Sequence, residues 1–163
     1  MVVPTEDWER RLAQEWASID AHSPEAFVAR IEQLAAELPP SHPIALFERA
    51  CAFDSTGHSD RAVPLYREAL EHGVEGIRRR RAVIQMASSL RNVDRSDEAL
   101  ALLLAERERA SDALDDAVTG FLALALADAG REREALSMAL VALAPHLPRY
   151  QRSLANYARD LMR

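Results

Sequence analysis

Lysine is missing from this chain of 163 residues, and all 20 of its basic side chains are Arg. Schiff-base chemistry through a lysine is therefore excluded. Any contact with an anion is left to a planar guanidinium that binds two oxygens at once, although a uniform Arg bias fits genome composition equally well. Cysteine occurs once, at Cys51, which excludes an intramolecular disulfide and a thiolate metal cluster built by this chain alone. β-Branched residues are sparse and never alternate with polar ones over the length of a strand, so no sheet is predicted. Long apolar runs are lacking too. Runs such as Ala99 to Ala105 and Phe121 to Ala127 fall far short of the ~20 residues of a spanning helix. Met1 to Asp7 has no basic start followed by an apolar core. The expectation is a soluble, cytoplasmic protein with no membrane partner.

What remains is a chain that is 48% hydrophobic and 28% charged, dominated by Ala, Leu, Glu and Arg, all strong helix formers. This composition predicts an all-α fold, and the length suits one domain spanning 1–163. A net charge of −6 argues against a nucleic-acid partner, because neutralising phosphates needs a dominant basic face.

Laid against itself, the sequence repeats. Ser23-Pro-Glu-Ala26, Ser59-Asp-Arg-Ala62 and Ser96-Asp-Glu-Ala99 recur, and Glu132 to Ala135 continues the series without the serine. The alanines at 26, 62, 99 and 135 are spaced by about 36 residues, the range of a repeated helix pair. Each serine reads as an N-cap whose hydroxyl accepts from the first helical turn. The helix before each is expected to end in a left-handed turn, at Gly57, at Gly130, and at Asp94 where Asp replaces glycine.

Ala50, Phe53, Gly57, Ala62, Tyr66 and Ala69 follow the small, aromatic, Gly, small, aromatic, small pattern of the tetratricopeptide repeat. Ala87, Leu90, Ala99 and Leu103 repeat most of it, as do Ala123, Leu126, Gly130, Ala135 and Ala142. Glu106 departs from the small residue expected in the third unit. The resemblance covers Ser41 to Leu147. With Arg78 to Arg81, Ser88 to Asn92 and the ending Pro148 to Tyr157, the whole chain also resembles the bacterial group-five tetratricopeptide domain. The resemblance implies a right-handed α-solenoid of antiparallel helix pairs and a role in protein binding.

On this reading the repeats span 41–72, 78–110 and 115–145. A degenerate first pair at 6–38 carries two apolar stripes, Trp8, Leu12, Trp16, Ile19 and Phe27, Ile31, Leu34, Leu38. A capping helix at 148–162 presents Tyr150, Leu154, Tyr157 and Leu161 to the last repeat. Nine helices are expected. Pro64 falls a turn inside the helix that follows Ser59, where the loss of a backbone donor predicts an irregularity.

Catalytic groups do not converge. His22, His42, His58, His72 and His146 fall near predicted helix ends, as exposed capping or turn residues, and no two share the i,i+4 spacing of metal ligands. Cys51 sits in a repeat helix without an activating neighbour, and reads as a buried or groove-lining small residue. Gly-rich phosphate loops and nucleophile elbows are absent. The chain is expected to be no enzyme and to need no metal and no cofactor.

In tetratricopeptide arrays the first helix of each pair lines the concave face. By that resemblance Phe47, Cys51, Asp54, Arg81, Gln85, Ser88, Arg91, Asn92, Phe121 and Leu124 face a ligand, joined by Gln151, Arg152 and Arg159 if the last helix is another inner one. An apolar floor with an Arg/Asn/Gln side suits an acidic segment or a C-terminal carboxylate of a protein or peptide. Arg78 to Arg81 read either as part of that patch or as a solvated helix start. At a helix N-terminus four cations require compensation. A homodimer formed through convex faces and the Trp8 helix is the alternative.

Overall fold

The computed structural model describes residues 3–109 and 111–163, and among them there is no strand. Nine α-helices occur there: α1 Glu6–Ala17, α2 Pro24–Ala35, α3 Pro43–Ser55, α4 Ser59–Glu71, α5 Gly76–Asn92, α6 Ser96–Arg107, α7 Asp115–Asp128, α8 Glu132–Leu143 and α9 Gln151–Asp160. Short 3₁₀ turns follow α1 and α8, at Ile19–Ala21 and Ala144–His146. Residue 110, which closes the third expected repeat, and residues 1 and 2 lie outside the described residues. The chain divides into two compact units, Met1–Ser89 and Leu90–Arg163, with the division falling inside α5.

The hairpin turns are built three times in one way. Gly57, Asp94 and Gly130 have φ of 83°, 60° and 72°, the left-handed conformation that ends a helix. In each, the N–H three residues after the last helical residue reaches back to a carbonyl five residues earlier: His58 to Phe53 at 2.8 Å, Arg95 to Leu90 at 2.9 Å and Arg131 to Leu126 at 2.9 Å. Orphan carbonyls are thus satisfied while the chain reverses. These are the turns that the sequence predicts.

Helix starts differ from expectation. Ser23 is an N-cap, its Oγ accepting from the Ala26 N–H at 3.3 Å, but Ser59 and Ser96 are the first helical residues of α4 and α6, and His58 and Arg95 hold the cap positions. The first unit is therefore out of step by one residue. Ala62, Ala99 and Ala135 are buried whereas Ala26 is exposed, and the next residue, Phe27, has no exposed area. A bulky ring where the later units have a small residue is what makes this pair degenerate. Pro64 does not break α4, which runs unbroken through it.

In the first unit α1 packs on α2, α2 on α3 and α3 on α4. Trp8, Leu12, Phe27, Ile31, Leu34 and Leu38 form one buried cluster, with Trp16 and Ile19 packed against it. Both predicted stripes thus meet each other. The Trp8 indole N–H donates to the Leu34 carbonyl at 2.9 Å, and Thr5 caps α1 by accepting from the Trp8 N–H at 3.2 Å. Further along, Ala50, Ala62, Ala69, Ala82 and Ala87 have no exposed area, as close helix contact demands.

In the second unit α6 packs on α7, α7 on α8 and α8 on α9, burying Leu103, Val118, Leu122, Leu126 and Ala135. Glu106, at the expected small position, is itself buried. The predicted stripe of α9 is only partly used. Leu154 and Leu161 are half-buried and Ala158 is buried, but Tyr150 and Tyr157 are 76% and 72% exposed. Tyr150 precedes the helix with φ of 68°, and the helix turns both phenols to solvent.

Asp94 holds in αL a conformation that costs an L-residue about 1 kcal/mol, less for Asp than for most. Replacement Asp94→Gly is expected to raise stability by about 0.5–1 kcal/mol, and Asp94→Val to lower it. Urea unfolding checks this, and an unchanged or lower midpoint for Asp94→Gly contradicts it.

Candidate functional site

In the first unit α1, α3 and α5 together line a concavity of about 440 Å³. Its walls are Glu9, Leu12, Ala13 and Trp16 from α1, Glu48 from α3, and Arg78 and Arg81 from α5. Two turns of α1 and one of α5 deliver their side chains on one face each, since residues three and four apart share a helical face.

A chain of hydrogen bonds runs across it. The Arg78 guanidinium grips Glu9 with two bonds of 3.0 and 2.6 Å and donates to Glu48 Oε1 at 3.1 Å. The second Glu48 oxygen accepts from the Trp16 indole N–H at 2.9 Å. Glu48 is 3% exposed. The pair is asymmetric. Burial pushes the Glu48 carboxyl above its ordinary value, with Arg78 and Trp16 opposing that rise. Burial lowers Arg78, but its Glu9 and Glu48 contacts outweigh that and favour the charged form. Two carboxylates thus supply the compensation that a cation near the start of α5 requires.

The arginine run is neither a uniform patch nor a solvated start. Arg78 is committed to its carboxylates, Arg79 is half-buried and Arg80 is 5% exposed. Arg81 is exposed, its guanidinium 5.2 Å from the centre of the Phe47 ring beneath it, within cation–π reach.

Several residues expected on a ligand-facing surface are instead interior. Phe47 and Cys51 are 0% and 1% exposed, so neither offers a surface to a partner. Cys51 donates through Sγ to Gln85 Oε1 at 3.5 Å, and burial first, then the charge of Glu48, pushes its thiol up to about 12. It is no reactive thiolate. Asp54, half-buried, accepts from Ser89 at 2.7 Å and from Tyr66 at 3.3 Å. Gln85 and Ser88 are half-buried. Of the first-unit candidates, the structure brings only Arg81 to the concavity.

The second unit's candidates divide likewise. Arg91 is half-buried and bound to Asp128 at 2.5 and 3.3 Å, a contact that holds the Asp128 carboxyl below its usual range. Phe121 is half-buried, Leu124 is 47% exposed, and Asn92 is exposed. The Gln151 amide donates to the Pro145 and Leu147 carbonyls at 3.2 and 2.8 Å. Arg152 is exposed, as is Arg159, which reaches Asn156 at 3.3 Å.

Histidines sit at helix ends as expected, but two are not exposed. His22 is half-buried. His42 is buried, and its Nδ1 accepts from the Ile44 N–H at 3.2 Å to cap α3. No group of three or more His, Cys, Asp or Glu side chains placed to hold a metal occurs among the described residues. No helix among them is long and apolar enough to cross a membrane.

A family model described as tetratrico peptide repeat matches residues 43–161. The chain belongs to the tetratricopeptide repeat family. No curated protein and no solved structure matches it. Tetratricopeptide repeats generally mediate protein–protein interaction and are typically non-catalytic.

Sequence reasoning missed Glu9 and Trp16 as parts of the site. They lie in α1, outside the matched repeats, where the small-residue offsets fail. The one available signal was Trp16 in the first apolar stripe, and it pointed to the core.

The Glu48 carboxyl generates a pH prediction. A carboxyl raised above its ordinary 4.5 binds its proton more tightly folded than unfolded, so the stability it contributes is full below 4.5 and drains away as pH rises through the raised value. Glu48→Gln keeps the neutral shape. Wild type is therefore expected to lose ground to Glu48→Gln in urea midpoints between pH 4.5 and 7. Wild type gaining on the variant over that range would mean that Arg78 and Trp16 outweigh the cost of burial.

Proposed function

We propose that this tetratricopeptide repeat protein binds an acidic segment of another protein, with the first unit's α1/α3/α5 concavity as a primary contact. The observation that carries the reading is the exposed Arg81 at the rim of a concavity whose wall includes Leu12, Ala13 and Trp16. An apolar side chain entering against Trp16 would place a neighbouring carboxylate within reach of Arg81. The shelf of Phe47 beneath the guanidinium restricts its motion and lowers the entropy lost on binding.

The arginines are not equivalent. A cation already held by two carboxylates contributes little new energy to a ligand, because binding must first break those bonds. Arg78 is so held by Glu9 and Glu48, and Arg91 is gripped by the one carboxylate of Asp128, whereas Arg81 of the first unit and Arg152 of the second are exposed. Exposed and unequal, these positions supply the charge-assisted bonds that recognise acidic motifs. Nucleic acid is disfavoured by the net charge of −6.

The test is retrieval of a partner on the immobilised chain, followed by calorimetric titration with the partner's acidic segment as a synthetic peptide. Arg81→Ala is expected to weaken binding by about 10- to 100-fold, the loss of one charge-assisted bond. Arg91→Ala is expected to change it by less than about threefold. Equal binding by wild type and Arg81→Ala removes the concavity from the site.

A further inference from the structure

Of the eight large hydrophobic side chains that stand exposed among the described residues, six fall between Leu124 and Met162. Within the second unit, two of them form a row on α8. Leu136 and Leu143 are 50% and 47% exposed, and Ala139 between them is also exposed. Spacings of three and four put all three on one helical face. No charge interrupts the row.

The repeat register makes this exposure anomalous. Aligning Ala135 with Ala99 and Ala62, position 139 corresponds to Leu103 in α6 and Tyr66 in α4, both without exposed area, and position 136 to Val63, 3% exposed. The neighbouring α7 packs against α6, and α9 packs against α8. Yet α9 leaves Leu136 and Ala139 exposed, and Leu143, where α6 carries the exposed Arg107, extends this apolar face.

We propose that this face is covered by the same face of a second copy, α8 lying antiparallel to its counterpart about a two-fold axis at Ala139. The row is self-complementary under that operation. Positions equidistant from Ala139 meet, so Leu136 packs beside Ala142 and Leu143 of the second copy. The small side chain at the axis lets the helices approach closely.

Charge agrees with the geometry. Glu132, exposed at the start of the row, lies as far from Ala139 as His146 does at the other end. Each Glu132 therefore comes to the His146–Arg149 segment of the second copy, where Arg149 is exposed and cationic. A parallel pairing would instead set Glu132 against Glu132. Antiparallel helices also oppose their dipoles favourably. The closed two-fold limits assembly to a dimer, and a single helix pair makes it a weak one.

Analytical ultracentrifugation over a concentration series, combined with cysteine cross-linking, tests the proposal. Wild type should pass from monomer to dimer as concentration rises, and Leu136→Glu/Leu143→Glu should remain monomeric with helical circular dichroism intact. On oxidation Ala139→Cys should link to itself, and Glu132→Cys should link to His146→Cys in a mixture but not to itself. The native Cys51 is buried and adds no background. A wild type that stays monomeric throughout overturns the proposal. So does a dimer indifferent to both glutamates, or a Glu132→Cys that links to itself as readily as Ala139→Cys does. Should the double variant fail to fold, the cross-linking pattern alone decides between these outcomes.

Discussion

Close approach of helices at small residues is the constraint on which the rest of the structure depends. Ala50, Ala62, Ala87 and Ala99 have no exposed area, and a larger side chain at any of them would force apart elements packed at the density of an organic crystal. The left-handed turns at Gly57, Asp94 and Gly130 serve the same end, because each returns the chain within three residues. A longer connection would let the second helix drift from its partner. Turn and small residue therefore recur together, at nearly the same interval, and a bulky Phe27 in their place accompanies a pair that packs differently.

That coupling explains how much of the fold could be read from the sequence. The helix pairs from α3 to α8, their reversals and their buried alanines all rest on local rules repeated three times, so each unit corroborates the others. Helix starts were less legible. Ser59 and Ser96 look like caps, yet they are the first helical residues of their helices, and a shift of one residue alters no periodicity that would betray it. The phenols of Tyr150 and Tyr157 were misplaced for another reason. Amphipathic spacing identifies a face but not what covers it, and at α9 the apolar stripe exceeds the surface that α8 buries.

The candidate site was less legible still. Helical projection puts Phe47, Cys51 and Asp54 on the ligand-facing side of α3, but projection treats each helix alone. Packing by α4 and α5 encloses them, and Asp54 becomes an acceptor for Tyr66 and Ser89. Conversely, Glu9 and Trp16 enter the site from a helix that does not obey the repeat. Their contacts with Arg78 and Glu48 link residues 69 and 32 positions apart, beyond the reach of any local pattern.

The arginine run illustrates why residue type alone is a weak guide to a binding surface. Four consecutive guanidinium groups at the start of α5 advance by about 100° each around the helix, so they cannot share one environment. Arg78 turns toward α1 and α3, where Glu9 and Glu48 neutralise it, and Arg81 turns outward over Phe47. In an acidic chain, a guanidinium is available to a partner only where its own carboxylates fail to reach it. Selection of a ligand-binding arginine is thus a question of which intramolecular partners the fold supplies: Arg78 and Arg81 lie one turn apart on the same side of α5 and line one concavity, yet Arg78 is bound by Glu9 and Glu48 while Arg81 stands exposed over Phe47.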